Sequence, residues 1–172
     1  MIPVLTTERL TLRGPRLADF DAYAAMRGDP ARTAHIGGPQ TRAQAWHHLC
    51  GVAGQWALRG YGRWIVTETG NDAPLGLVGL FHPEDWPEAE IGWTLAAAAE
   101  GRGIAHEAAL AARRFAYGTL GWRTVISAIA PGNLRSEALA RRLGCRPDGR
   151  FEHATLGTVP IWRHPAPDEA AA

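Results

Sequence analysis

The chain has 172 residues, of which 46% are apolar and 20% charged, a length and composition typical of one domain with a sizeable core. Its 18 basic and 17 acidic residues give a formal net charge of +1, which excludes a broad cationic field for nucleic acid or an anionic membrane. Cys50 and Cys145 form neither a disulfide framework nor a zinc-ligand spacing, so a reduced, cytoplasmic setting is expected. The polar residues that soon follow Met1 are not typical of a signal peptide, so none is expected. No apolar run approaches the ~20 residues that a membrane helix needs.

The predicted elements begin with a strand and two helices. Arg9 to Arg13 alternates polar and apolar residues, as a half-buried strand does, and apolar residues recur at helical spacing from Leu17 to Met26. Arg32 to Gln40 is predicted to be a loop. A second helix is predicted from Thr41 to Leu58, with Thr41 as its N-cap and Gly60 just beyond its end.

Strands follow. Arg63 to Thr69 and Pro74 to Phe81 are predicted to form a hairpin, and Glu88 to Leu95 a third strand. An alanine-rich helix is expected to reach about Tyr117, and the apolar run from Arg123 to Ala130 predicts a strand buried on both faces.

The chain is then predicted to close with a helix, Asn133 to Leu143, and a hairpin within Gly149 to His164. With no internal repeat and no linker, this order predicts a single domain over residues 1–164 and a frayed tail over residues 165–172. The fold class expected is α/β or α+β with one mixed sheet.

The strongest local signal is a glycine loop between a strand and a helix. Gly101 and Gly103 allow the backbone to approach a ligand closely, and the helix start after them presents N–H groups and a positive dipole end to an anion. Neither the P-loop pattern nor GxGxxG is present, which disfavours an unrelated nucleotide-binding domain. A plain tight turn before a helix is the alternative for both glycines.

This region resembles the GNAT acetyltransferases. Their pyrophosphate-binding signature, (Gln or Arg)-x-x-Gly-x-(Gly or Ala), is matched by Gly103 and Ala105, whereas Glu100 departs from its first position. The preceding Glu-Ile-Gly-Trp-x-Leu strand and the later Asn133-x-x-Ser136 follow in the family's order. The match is strongest from about Trp64 to Arg146, and the Asn-x-x-Ser pair is similar to the ribosomal-protein-alanine (RimJ/RimL-like) branch.

The resemblance implies a single mixed, mostly antiparallel central sheet with helices on both faces, splayed between the strand ending near Leu95 and the strand from Arg123. It implies acetyl-CoA as cosubstrate and no metal. Backbone groups of Trp93, Thr94 and Leu95 would pair with the pantetheine amides. The phosphates would lie on Gly101, Arg102, Gly103, Ile104, Ala105 and His106.

Glu90 is the first candidate for a base that deprotonates an attacking amine. On a strand it shares a face with Gly92 and Thr94, so a polar position facing the cleft is expected. A solvated edge carboxylate or a salt-bridge partner is the alternative. His35 and His82 are poorer candidates, and Trp86 lies in the loop that enters this strand.

The departing thiolate needs a hydrogen-bond or proton donor. Many family members use a tyrosine on the helix after the buried strand, which is missing here, so Ser136 becomes the candidate. Asn133 is expected to contact the pantetheine arm or an ordered water. Alternatively, Asn133 is simply a helix N-cap and Ser136 a first-turn residue.

The resemblance therefore predicts an N-acetyltransferase acting on a primary amine, either a small molecule or a protein N-terminus. A catalytically inactive acetyl-CoA sensor of the same fold is the alternative. The acceptor is not identified by the sequence, because the segments that would shape its site carry little recognisable signal. A homodimer through an edge strand of the C-terminal hairpin is a further expectation.

Overall fold

The computed structural model of the protein describes residues 1–170. The strands are β1 (Leu5–Thr6), β2 (Leu10–Arg13), β3 (Arg63–Glu68), β4 (Asn71–Phe81), β5 (Glu90–Leu95), β6 (Ile126–Ala128), β7 (Arg146–His153) and β8 (Gly157–Arg163). The helices are α1 (Phe20–Gly28), α2 (Pro30–Thr33), α3 (Arg42–Arg59), α4 (Ile104–Gly118), α5 (Leu134–Arg142) and α6 (Pro167–Ala170).

All the strands within the described residues belong to one sheet, in the order β1-β2-β3-β4-β5-β6-β8-β7. Its neighbours pair antiparallel except β5 and β6, which are parallel. Helices α1 and α3 pack on one face around Ile65 and Leu77, and α4 packs on the other face around Trp64 and Val78. The predicted mixed sheet with helices on both faces is therefore confirmed.

Local sequence explains the long helices. The Thr41 hydroxyl accepts from the Gln44 N–H while the Gln44 side chain accepts from the Thr41 N–H, and Gly60 ends α3 in the left-handed region at φ 73°, as expected of a capping box and a C-terminal glycine. In α4, Ala108, Ala109, Ala112 and Ala116 are fully buried. Their small side chains fit a helix that lies close against the sheet.

A buried ion pair fixes β2 to the start of α1. Nη1 and Nη2 of Arg13 donate to the two carboxylate oxygens of Asp19 at 2.8 and 2.7 Å, and Asp19 also accepts from the Arg16 N–H at 2.7 Å. Nε of Arg13 donates to Asp72, the second residue of β4, at 2.5 Å. The hydrogen bond to Asp19 is the main reason that the pKa of Arg13 is raised.

The sequence predictions fail at several boundaries. The strand predicted over Arg123 to Ala130 has only three ladder residues, Ile126–Ala128, although Val125 and Ile129 are also buried. Helix α2 occupies the start of the predicted 32–40 loop, and β1 was not predicted. The third strand begins at Glu90 rather than Glu88, and the hairpin begins at Arg146 rather than Gly149.

Strand β7 forms one edge of the sheet and is mostly exposed. Pro147 lies within it, and its pairing with β8 shifts register between Pro147 and Arg150. The tail beyond β8 includes the single helical turn α6, while residues 171–172 lie outside the described part, so the frayed tail stays a prediction. No helix of residues 1–170 is both long and apolar enough to cross a membrane.

Candidate functional site

The sheet splits between β5 and β6. The two strands share one residue pair, Glu90 with Ile126, and the Ile126 N–H donates to the Ala89 carbonyl at 3.2 Å. One residue further on, the Ser127 hydroxyl rather than a backbone amide reaches the Ile91 carbonyl, at 2.7 Å. Beyond Ile91, β5 has no partner on this side among the described residues, so the two strands diverge and an opening begins beside Glu90.

Glu90 lies at the apex of this opening and is only 8% exposed. Its Oε2 accepts from the Ala128 N–H at 2.8 Å, so the carboxylate takes the place of a ladder partner. Burial raises the pKa of Glu90, against the opposing effects of the Ala128 hydrogen bond, the Trp86 indole and the Arg63 charge. The alternative interpretation, that Glu90 is a solvated carboxylate at the edge of the sheet, is therefore excluded.

The backbone of β5 offers hydrogen-bonding groups to the opening. The carbonyls of Ala89 and Ile91 point toward β6, and successive residues of a strand turn their backbone groups to alternate edges. The N–H and C=O of Trp93 and Leu95 therefore face the opening. The backbone of Thr94 turns instead toward β4, opposite Leu77.

A buried histidine, His164, contacts Ser127 at the closed end of the opening. Because the only O–H of Ser127 is directed at Ile91, its oxygen accepts from Nε2 of His164 at 3.0 Å. His164 is 2% exposed. Burial, and to a smaller degree the charge of Arg113, lowers the pKa of His164 to about 3, so the imidazole is neutral.

The glycine loop leads into α4 as predicted. Gly101 and Gly103 adopt φ values of 72° and 77°, which residues with a Cβ rarely adopt. Gly103 is the N-cap residue of α4, and no side chain caps this helix. Its first N–H groups therefore remain free of side-chain acceptors, with the positive end of the helix dipole behind them.

A groove of about 500 Å³ runs beside this helix start. Its lining includes Arg9, His106, Arg114 and Arg142. The guanidinium of Arg102, by contrast, pairs with Glu68 on β3. The groove is also lined by Glu8 and by Glu107, which pairs with Arg9, so its three arginines leave a small excess of positive charge beside the helix start.

The glutamate at position 100, where the family signature has glutamine or arginine, is explained by its ion pairs. Its carboxylate forms ion pairs with Arg32, from α2, and with Nη1 of Arg135, from α5, at 2.5 Å in the second case. The departure from the family signature thus brings two arginines to the edge of the glycine loop. Positive charge that a signature arginine would supply is supplied here by neighbouring elements.

Ser136 and Trp93 meet between β5 and α5. The Trp93 indole N–H donates to the Ser136 oxygen at 3.1 Å, which leaves the hydroxyl proton of Ser136 free to donate elsewhere. Oδ1 of Asn133 accepts from the Ser136 N–H at 3.2 Å, and Asn133 is the N-cap of α5. The structure therefore bears out the capping role of Asn133, and its side-chain NH₂, which makes no hydrogen bond among the described residues, can still contact a ligand.

The sequence predictions missed the group of side chains on the other side of Glu90. Arg63, on β3, lies over the Phe81 ring at 4.1 Å, and Phe81 is directly opposite Glu90 in the sheet. Trp86 packs on Phe81 with ring centroids 5.9 Å apart. A single arginine in a predicted strand carries no distinctive signal, so only the three-dimensional structure brings Arg63 to the site.

A mixed sheet that splits at one residue pair, with an uncapped helix start at its mouth, is the framework of an acyl-CoA-dependent acyltransferase. The chain belongs to the GNAT acetyltransferase family, because the family described as "Acetyltransferase (GNAT) domain" matches residues 9–146.

Solved structures of acetyltransferases share this fold. An acetyltransferase from Agrobacterium tumefaciens is 35% identical, with a TM-score of 0.88 over 96% of this chain and 95% of that one. A GNAT-family acetyltransferase from Bacillus anthracis is 20% identical, with a TM-score of 0.82 over 97% and 100%. A ribosomal-protein alanine acetyltransferase from Vibrio fischeri is 14% identical, with a TM-score of 0.75 over 97% and 98%. At such low identity the last two show likeness of fold alone.

Proposed function

We propose that the protein transfers the acetyl group of acetyl-CoA to a primary amine, of a small molecule or a protein N-terminus, by direct attack of the amine on the thioester. The observation that carries this proposal is the opening at Glu90, where β5 leaves β6 after one residue pair. At that opening, the buried carboxylate of Glu90 lies next to backbone groups of β5 that have no strand partner among the described residues. Residues 1–164 would act as one catalytic domain, and the free thiols of Cys50 and Cys145 suit a reducing, cytoplasmic setting.

The cosubstrate would extend β5. Amide groups of a pantetheine arm can pair with the backbone of Trp93 and Leu95 as an added strand does. The uncapped start of α4, residues 101–106, would bind the pyrophosphate through backbone N–H groups. Arg114 and Arg142, which line the groove, add positive charge on the outer side.

Glu90 would act as the base, directly or through a water molecule. An α-amino group has a pKa near ~7.7–8.0 and is partly protonated at neutral pH, so attack requires removal of a proton. A carboxyl whose pKa is raised by burial holds that proton better than an exposed one. As the amine attacks, backbone N–H groups that face the opening from β5 would stabilise the developing oxyanion.

Ser136 would assist the leaving group. With its oxygen already accepting from the Trp93 indole, its hydroxyl proton can be directed at the departing thiolate, which has the character of a thiol of pKa ~8.5. The Asn133 cap fixes the first turn of α5 and so holds Ser136 in place.

Thiol release from acetyl-CoA, followed against a panel of amines and N-terminal peptides, tests the reaction. Calorimetric binding of acetyl-CoA to a Gly103→Ala variant tests the loop. Because Gly103 has φ 77°, the substitution strains the loop by about 1–2 kcal/mol, and we expect acetyl-CoA binding to be weaker by about 5–30-fold. Gly118→Ala in the last turn of α4, where an added Cβ meets nothing within 4 Å, is the matched control and should bind normally.

Amine-dependent thiol release that requires an intact loop would support the proposal. Tight acetyl-CoA binding with no release for any acceptor would contradict it and favour the sensor. Unchanged binding by Gly103→Ala would remove the loop from the cosubstrate site.

A further inference from the structure

Two arginines on the face covered by α1 and α3 lack a carboxylate hydrogen-bond partner among the described residues: Arg27, which is buried within α1, and Arg63 on β3, which is half-buried. Arg27 is 5% exposed, and its Nε donates to an amide oxygen, that of Gln40, at 3.1 Å. Among residues 1–170, the buried Nε of Arg63 has no hydrogen-bond partner, and its Nη2 has a 3.5 Å contact with Nε2 of His48. We call Arg27, His48 and Arg63 the Arg–His cluster.

The cluster is not neutralised by its surroundings. Burial lowers the pKa of both arginines, and burial together with their charges lowers the pKa of His48 to about 3. His48 bonds instead to the phenol of Tyr23, which is neutral at pH 7 because burial raises its pKa. Arg27 is buried and Arg63 half-buried, and a cation that loses solvent without gaining an anionic partner is destabilised, so an anion from outside the chain would complete this site.

The cluster is continuous with Glu90. Arg63 stacks on Phe81, Phe81 is opposite Glu90 in the sheet, and the charge of Arg63 acts on the Glu90 carboxyl. Gly92 is the next residue of β5 on this face, and a Cβ there would lie 3.3 Å from Oε1 of Glu90. The glycine therefore leaves room beside the carboxylate.

Aromatic side chains line the adjoining surface. Trp86 packs against Phe81, Phe151 and His153 with ring centroids 5.9, 5.2 and 5.2 Å apart. Its indole N–H is buried and makes no hydrogen bond of ordinary length. A second buried donor thus lies without a full partner close to the carboxylate.

We propose that the acceptor is a small molecule that carries a carboxylate besides its amine, and that this carboxylate pairs with the guanidinium of Arg63 while the amine lies toward Glu90. The inference rests on the proposed transferase function and names its substrate class. A planar guanidinium matches a carboxylate in a bidentate geometry. A substrate with only an ammonium group would be repelled by Arg27 and Arg63, whereas a zwitterion is attracted through its acid and loses its ammonium proton more easily in their field.

Paired acceptors on the wild-type protein test the proposal. Each pair consists of an amino acid and its carboxamide, for example alanine and alaninamide, with concentrations expressed as unprotonated amine; short peptides form a third arm. We expect the carboxylate member to have a kcat/KM at least 10-fold higher, in line with the strength of hydrogen bonds to charged groups.

Arg63→Gln should abolish this preference through a higher KM for the amino acid, with unchanged acetyl-CoA binding. Arg42→Gln is the matched control, because Arg42 stacks on the Phe20 ring at 4.5 Å but is exposed and paired with Asp21. It should retain the preference. Thermal unfolding of both variants separates loss of the fold from loss of recognition.

Equal kcat/KM within every pair would overturn the inference and leave the transferase intact, and so would preference for peptides. Where no amine is acetylated, the transferase proposal fails, and calorimetry on the CoA-loaded protein still decides the site. Amino-acid binding that is lost in Arg63→Gln would support the carboxylate site, and no binding would overturn it.

Discussion

Glu90→Gln separates the catalytic role of this residue from its structural role. The amide is nearly the same size as the carboxyl and keeps an oxygen that can accept from the Ala128 N–H, but it cannot take a proton. Loss of a general base lowers the rate by about 10²–10⁴-fold, so we expect a fall of that size in kcat/KM for the amine. Acetyl-CoA binding, measured by calorimetry, should not change.

The same variant should be more stable than the wild type. Because burial raises the pKa of Glu90, the folded protein holds this proton to higher pH than the unfolded chain does. Stability is therefore lost as the pH rises through the folded-state pKa, and glutamine removes that loss. We expect a gain of about 0.5–2 kcal/mol at pH 7, or about 2–4 °C in Tm for each kcal/mol.

Glu88→Gln is the control. Glu88 is bound by Arg163 at 2.6 and 2.7 Å, which lowers its pKa, so its replacement should cost a little stability at neutral pH and leave activity unchanged. The acidic limb of the wild-type pH–rate profile should vanish only in Glu90→Gln. Full activity with an unaltered profile would refute the base assignment. Lower stability would show that the carboxylate charge, through its stronger hydrogen bond with the Ala128 N–H, stabilises the fold by more than its burial costs.

Three further predictions concern other parts of the fold. Ser136→Ala should lower kcat by about 10–100-fold through loss of a hydrogen bond to the thiolate, with acetyl-CoA binding retained; an unchanged kcat in single-turnover assays would refute the role. Asp19→Asn should cost about 3–5 kcal/mol in urea unfolding because Arg13 loses its buried partner, and a cost below 1 kcal/mol would contradict the pairing. His164, whose pKa falls to about 3, should make stability fall as the pH drops from 6.5 toward 3, by up to about 1.4 kcal/mol per pH unit. His164→Gln should flatten that slope in urea unfolding over the same pH range, and an unaltered slope would assign the acid sensitivity to other groups.

The sequence alone predicts those elements whose boundaries are set by interactions within a few residues. The Thr41 cap and the Gly60 terminus identify α3 because both satisfy backbone groups of that helix alone. Gly101 and Gly103 marked the loop because their conformation excludes most other residues. These interactions span only a few residues, which is why a single sequence reveals them.

Properties that depend on distant residues were not predictable in this way. The run from Arg123 to Ala130 is buried as its apolar character indicates, yet only three residues pair, because the length of that ladder depends on where β5 diverges. That divergence was expected only from the family resemblance. The partners of Glu100 likewise come from α2 and α5, and no local pattern announces them.

The exposed edge formed by β7 bears on aggregation. An unpaired strand is a template for another chain, and proteins protect such edges with proline, bulges and charge. Pro147 and the register shift before Arg150 interrupt this template, and the strand carries charged residues along its length. A homodimer stays a prediction. Because this edge is poorly suited to strand addition, we expect it to resist edge-to-edge association into larger assemblies.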